Sequence, residues 1–198
     1  MSKNFAVFIM VYGRPEKNWT YRLLKKSGYT GKIYLVGDDL DKTIDGYRKK
    51  YGDQLIVFDK KKSALNLDTG DNSGDFRSTL FASNKIFDLA KERGIDNFFI
   101  MCDDYTEFNY RFDNNLNYVT NKYIRNLDVI FNSMVKFMDS NKQVSCIAMA
   151  QTGDFIGGKD GSMAKKCTLK RKAMNTFLCK TNRRFKTIWR RSIWRVGT

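Results

Sequence analysis

Histidine does not occur anywhere in this chain of 198 residues. Its absence removes Ser-His-Asp and Cys-His nucleophilic catalysis, together with histidine-bound zinc and non-haem iron. Any catalysis must rest on carboxylates, hydroxyls, lysine, arginine or a metal held by oxygens. Cysteine is sparse: Cys102, Cys146, Cys167 and Cys179 are widely spread and form no C-x-x-C pair. Free thiols in a reducing cytoplasm are the expectation. No apolar run approaches the roughly 20 residues of a membrane span. "FAVFIMV" near the N-terminus follows a single Lys and precedes no small-residue cleavage site, so it reads as a first core strand rather than a signal peptide. Neither G-x-x-x-x-G-K-[ST] nor G-x-G-x-x-G is present, which argues against a Walker-type nucleotide enzyme. There is no internal repeat and no linker, and the length suits one domain with a real core.

Acidic residues are missing from one end. None follows Asp160, while twelve cations lie between Lys165 and Arg195. The formal net charge of +15 is therefore concentrated there, because residues 1–164 hold 24 of the 36 cations against all 21 acids, about +3. Phe177, Phe185, Trp189 and Trp194 are interleaved with the cations of "KRKAMNTFLCKTNRRFKTIWRRSIWR". Cations with aromatics serve phosphate contact and base stacking, so Arg183, Arg184, Lys186, Arg190 and Arg191 are candidate nucleic-acid contacts. A face for another acidic polymer, or a solubility feature, is the plainer alternative. Residues 1–164 read as a core and 165–198 as a basic, aromatic-rich segment of the same domain.

What is present alternates. "NFAVFIMVY" (4–12) is a continuous apolar strand stopped by Gly13 and Pro15, the only proline. Residues 16–27 predict a helix ended near Gly28; "KIYLVGDD" (32–39) a strand; "DKTIDGYRKKYG" a short helix; "QLIVFD" (54–59) a strand. Residues 60–76, rich in Lys, Asp and Gly, read as a functional loop. Residues 77–94 predict a helix closed by Gly94, followed by the strand "NFFIMCDD", a helix over 126–140, the strand "VSCIAMA" (144–150) and a glycine-rich loop. This is the pattern of an α/β, mostly parallel sheet flanked by helices, whose ligands bind beyond the carboxyl ends of the strands. Those ends carry Tyr12-Gly13-Arg14, Asp38-Asp39, Asp103-Asp104 and the 151–161 loop.

Paired carboxylates at a strand end, without histidine, suit a hard divalent cation, Mg²⁺ or Mn²⁺, that also binds substrate phosphates. The apolar strand leading into Asp103-Asp104 and the preceding helix with Asn84 favour a metal and donor site. The plainer alternative is that the two acids only start a loop or cap the next element.

"FIMVYGRPE", "YLVGDD", "FASNKIFDLAKERGIDNFFIMCDDYTEF" and "AQTGDFIGG", in that order, resemble the GT-A (Rossmann-like) nucleotide-sugar glycosyltransferases. More narrowly, "RKAMNTFLCKTNRRFK" and the D-D-Y-x-x-F context resemble the phage TET-associated glycosyltransferases, over residues 4–186. The resemblance implies a UDP-linked sugar donor, a metal ion on its diphosphate, and a hydroxymethylated pyrimidine of duplex DNA, such as 5-hydroxymethylcytosine, as acceptor. It places Tyr12, Gly13 and Arg14 on the nucleotide, Asp38 or Asp39 on uracil or ribose, and Gly153, Asp154, Gly157 and Gly158 near sugar and acceptor. The D-x-D metal motif of the GT-A enzymes aligns with Cys102-Asp103-Asp104, so Asp104 keeps its place and Asp103 is the compensating ligand. A Glu-Asp pair follows the last strand in inverting members; here "TIWRRSIWRVGT" has no acid, so the expectation is a C-terminus truncated or altered before that motif, with Asp154 as the fallback base and a chain inactive as it stands as the further alternatives. A phage enzyme of this kind would work in the host cytoplasm. Two rivals stay open: a transferase acting on a glycan or protein, and a non-catalytic nucleic-acid-binding protein.

Overall fold

A computed structural model describes residues 4–65, 67, 75–165 and 176–183. Its centre is a six-stranded sheet of order β3-β2-β1-β4-β8-β7, formed by β1 (Phe5–Met10), β2 (Lys32–Asp38), β3 (Leu55–Phe58), β4 (Asn97–Cys102), β7 (Cys146–Ala148) and β8 (Phe177–Lys180). The first four strands pair in parallel. β8 runs antiparallel to β4 and β7 antiparallel to β8, so β8 alone is reversed. The fold is the mixed α/β, mostly parallel sheet that the GT-A resemblance implies.

The continuous apolar runs have a direct cause: both faces of the sheet are covered. Along β1, Phe5, Val7 and Ile9 point into one core, and Ala6 and Phe8 into the other. Along β4, Phe99 and Met101 join the first core, and Phe98 and Ile100 the second. The first face is closed by α1 (Trp19–Lys26), α2 (Ile44–Tyr51) and α5 (Leu127–Ser140). Helix α5 buries Leu127, Phe131, Val135 and Met138, one stripe at helical spacing. At about 1.5–3 kcal/mol for each fully buried large apolar side chain, that stripe secures the helix. The second face is closed by α4 (Leu80–Glu92), through Phe81, Ile86, Leu89 and Ala90.

Three local features differ from expectation. The stretch after β3 opens as a short helix, α3 (Lys60–Ala64), whose N-cap Asp59 accepts from the Lys62 N–H. A hairpin of β5 (Asn109–Phe112) and β6 (Tyr118–Tyr123) follows the carboxylate pair. Strand β8 comes from the basic segment and lies between β4 and β7. Gly28, just past α1, has φ +82° and would press a Cβ to 2.3 Å from the Arg125 carbonyl oxygen, so only glycine fits. Cys102, Cys146 and Cys179 are free, the last two being partners across β7 and β8.

Candidate active site

Parallel register brings the strand ends together. Met10 pairs with Cys102 on one side and with Val36 on the other, so the segments beyond them emerge side by side. Between them lies a cleft of about 460 Å³, with Tyr12, Arg14, Asp38, Asp103 and Asp104 in its lining. The loop after β1 is fixed by its backbone: Gly13 N–H donates to Asp41 Oδ2 (2.8 Å) and Arg14 N–H to Tyr47 Oη (3.0 Å). Gly13 has φ +75°, a conformation that favours glycine.

Asp103 and Asp104 have different environments. Asp103 is buried, and the Arg14 guanidinium grips both its oxygens, Nε to Oδ2 at 3.1 Å and Nη2 to Oδ1 at 2.5 Å. Such a bidentate pair is strong and geometrically specific. The hydrogen bond to Asp103 raises the Arg14 pKa further, so the cation is permanent. Asp104 lies 3.7 Å from the same guanidinium but keeps 54% of its side chain exposed. The intervening turn is tied down by buried Thr20, whose hydroxyl donates to Cys102 O (2.6 Å) and accepts from Tyr105 N–H (2.9 Å). Burial pushes the Cys102 thiol pKa up, which disfavours its thiolate.

Asp103, expected as a metal ligand, therefore has both oxygens occupied by Arg14, and Asp104 is the carboxylate open to the cleft. Among the described residues no three acids or thiols could enclose an ion. A hard cation needs no such cage, because Mg²⁺ is commonly held by one or two carboxylates plus substrate phosphates and water. The donor set fits an ion that arrives with a diphosphate.

The remaining expected donor contacts divide. Asp38 is buried and paired with Lys60 Nζ at 2.9 Å. Asp39 Oδ1 accepts from Lys60 N–H at 2.9 Å and is not in the cleft lining. Asn84 lies elsewhere: it lines a separate groove with Ile56, Phe58 and Glu92, and its amide donates to Leu80 O. Lys60 and Arg77 are cleft residues that the sequence reading placed only in or beside a polar loop. Their one advance signal was the cation density of that stretch.

A second cleft, of about 570 Å³, opens on the other side of Asp104. It takes Tyr105, Glu107 and Arg111 from the hairpin side, and Gln151 and Phe155 from the glycine-rich loop. Asp154 is not in its lining. Its carboxylate accepts from Gln151 N–H (2.9 Å) in a reciprocal capping box that holds the turn Thr152–Phe155. Gly157 and Gly158 have φ +92° and +55°, and Gly153 is open to added volume. Of the expected nucleic-acid contacts, Arg183 ends a short turn after β8, while Arg184, Lys186, Arg190 and Arg191 lie outside the described residues.

No curated protein matches the chain significantly. The family model described as TET-Associated Glycosyltransferase matches residues 5–194, nearly the whole chain, and its span includes every strand end that forms the two clefts. With that coverage added to the mixed α/β sheet and its paired clefts, the chain belongs to the TET-associated glycosyltransferase family.

Proposed function

We propose that this glycosyltransferase takes its sugar from a UDP-linked donor seated in the cleft of Arg14, Lys60 and Arg77, and delivers it to a hydroxymethylated pyrimidine in DNA. The observation that carries the donor assignment is the cleft itself. It sits at the carboxyl ends of β1, β2 and β4, carries three cations in its lining, and has one open carboxylate at its margin. Arg14 and Arg77, each held along one edge by a carboxylate (Asp103 and Asp75), would present their remaining guanidinium N–H groups to a diphosphate, and Tyr12, half exposed, offers a ring face to a base. Asp104 would hold the divalent ion, which supplies charge neutralisation of the departing diphosphate. The DNA acceptor is supported by the twelve cations after Asp160, set among four aromatic residues.

The test is calorimetry with uridine diphosphate, with and without Mn²⁺, on the native chain and on Asp104→Asn. The amide keeps the shape and removes the charge. Native binding should strengthen with Mn²⁺, and the variant should lose about tenfold or more of that gain, about 1.4 kcal/mol. Equal Mn²⁺-dependent affinity in both proteins would remove Asp104 from the metal site. Steeply salt-dependent DNA binding with no nucleotide effect at all would instead favour a binding protein without catalysis.

A further inference from the structure

Asp104 borders both clefts, so a sugar on a diphosphate held at Asp104 would lie next to the second. The second cleft has features of its own. The Phe155 ring packs against Phe112 and Tyr118, with centroids 6.2 and 5.8 Å away, and the Arg111 guanidinium lies 5.4 Å from its centroid. Phe155 is itself buried, so it forms the floor of this cleft, and the partly exposed Arg111 is the cation that a phosphate chain would meet. Glu107 also lines this cleft; its side chain is exposed and makes no hydrogen bond or ion pair with any described residue. Asp154, the acid of the neighbouring capping box, is engaged there and is outside the lining.

On the reading that this chain transfers sugar from a nucleotide to a hydroxyl, we infer that Glu107 is the general base and that the second cleft receives the acceptor nucleotide beside Arg111. The acceptor O–H gives its proton to the Glu107 carboxylate. Its oxygen bonds to the anomeric carbon as the bond from that carbon to the diphosphate oxygen breaks, and the electron pair leaves on the nucleoside diphosphate. A carboxylate already committed to an ion pair would be a poor base; Glu107 is uncommitted.

The experiment compares the native chain, Glu107→Gln, Glu107→Ala and Asp154→Asn. Each is assayed for uridine diphosphate affinity, binding of a hydroxymethylated duplex, and sugar transfer to that duplex. Glu107→Gln should keep both affinities within about threefold while transfer falls by roughly 10²–10⁴, the usual contribution of general-base catalysis. Added formate should restore part of the Glu107→Ala rate, a response that a purely structural role would not give. Transfer by Glu107→Gln within about threefold of native overturns the assignment, as does a loss confined to Asp154→Asn. If the native chain itself transfers nothing, the sugar-transfer reading fails first and takes the base assignment with it; the native control separates the two failures.

Discussion

Replacing Lys60 by Met tests whether the ion pair lining the first cleft behaves as a buried charge pair. Lys60 Nζ lies 2.9 Å from Asp38 Oδ2, and each side chain is only 7% exposed. The ammonium also stands 5.3 Å from the Tyr12 ring centroid and 5.9 Å from that of Phe81. Methionine has similar length and packs against both rings, so little volume is lost. Asp38 would then keep one recorded partner, the Leu40 N–H at 3.1 Å on Oδ1. Removing one partner of a buried pair costs about 3–5 kcal/mol, a large part of a typical 5–15 kcal/mol. With a urea slope of about 2 kcal/mol/M, the unfolding midpoint should fall by about 1.5–2.5 M. Adding Asp38→Asn removes the stranded charge while its amide oxygen still accepts from Leu40, so the double variant should regain more than half the loss. A midpoint shift for Lys60→Met below about 0.5 M, or a double variant no more stable than the single, would refute this reasoning.

Gly28→Ala combines a left-handed backbone with a Cβ 2.3 Å from the Arg125 carbonyl oxygen. It should cost about 2 kcal/mol or more and lower Tm by about 4–8 °C, read by a circular-dichroism melt. Burial pushes the phenols of Tyr47 and Tyr105 up to about 12. Because their unfolded value is about 10 and the folded one is higher, their stabilisation is complete below about pH 10 and is lost as pH rises through about 12. Melts across that window should show falling stability alongside phenolate absorbance; a flat profile would contradict the burial. Neutralising Arg183, Arg184, Arg190 and Arg191 should weaken duplex DNA binding and reduce the salt slope by roughly 0.9 for each lost phosphate contact. An unchanged slope would make the segment a solubility feature.

Strands β1, β2 and β4 were legible in the sequence because burial on both faces demands uninterrupted apolar residues, and their parallel pairing brings their carboxyl ends side by side. Strand β8 was not. Its apolar core, Phe177-Leu178-Cys179, is three residues long and sits among cations that dominate any window around it. The β5–β6 hairpin was equally hidden: "NYRF" and "YVTNKY" are only partly buried and lack clear alternation. At the site, Asp38, Asp103 and Asp104 were correctly located at strand ends. Their partners were not readable, because Arg14 meets Asp103 across 89 positions and Lys60 meets Asp38 across 22. Asn84 stands on the helix before β4, but it lines a separate groove formed by that helix with β3 and α3.

Those partners change what adjacent acids at a strand end mean. Carboxylates crowded at one edge of a sheet repel one another, and a metal ion is one remedy. This fold uses another: Arg14 neutralises Asp103, Lys60 neutralises Asp38, and Asp41 accepts from the Gly13 N–H and the Thr43 hydroxyl. Each bond joins segments that follow different strands or fastens a loop beside them, so the acids shape the cleft rather than bind within it. A buried ion pair is weak evidence for stability, since an apolar pair can do as well. These pairs hold guanidinium and ammonium groups at fixed positions in the cleft, which on the proposed reading is where a diphosphate would lie. Asp104 stands apart, being exposed, 3.7 Å from Arg14, and shared by both clefts. On the proposed reading, with its neighbours already neutralised, its charge is the one at this strand end that would meet a cation brought by the donor.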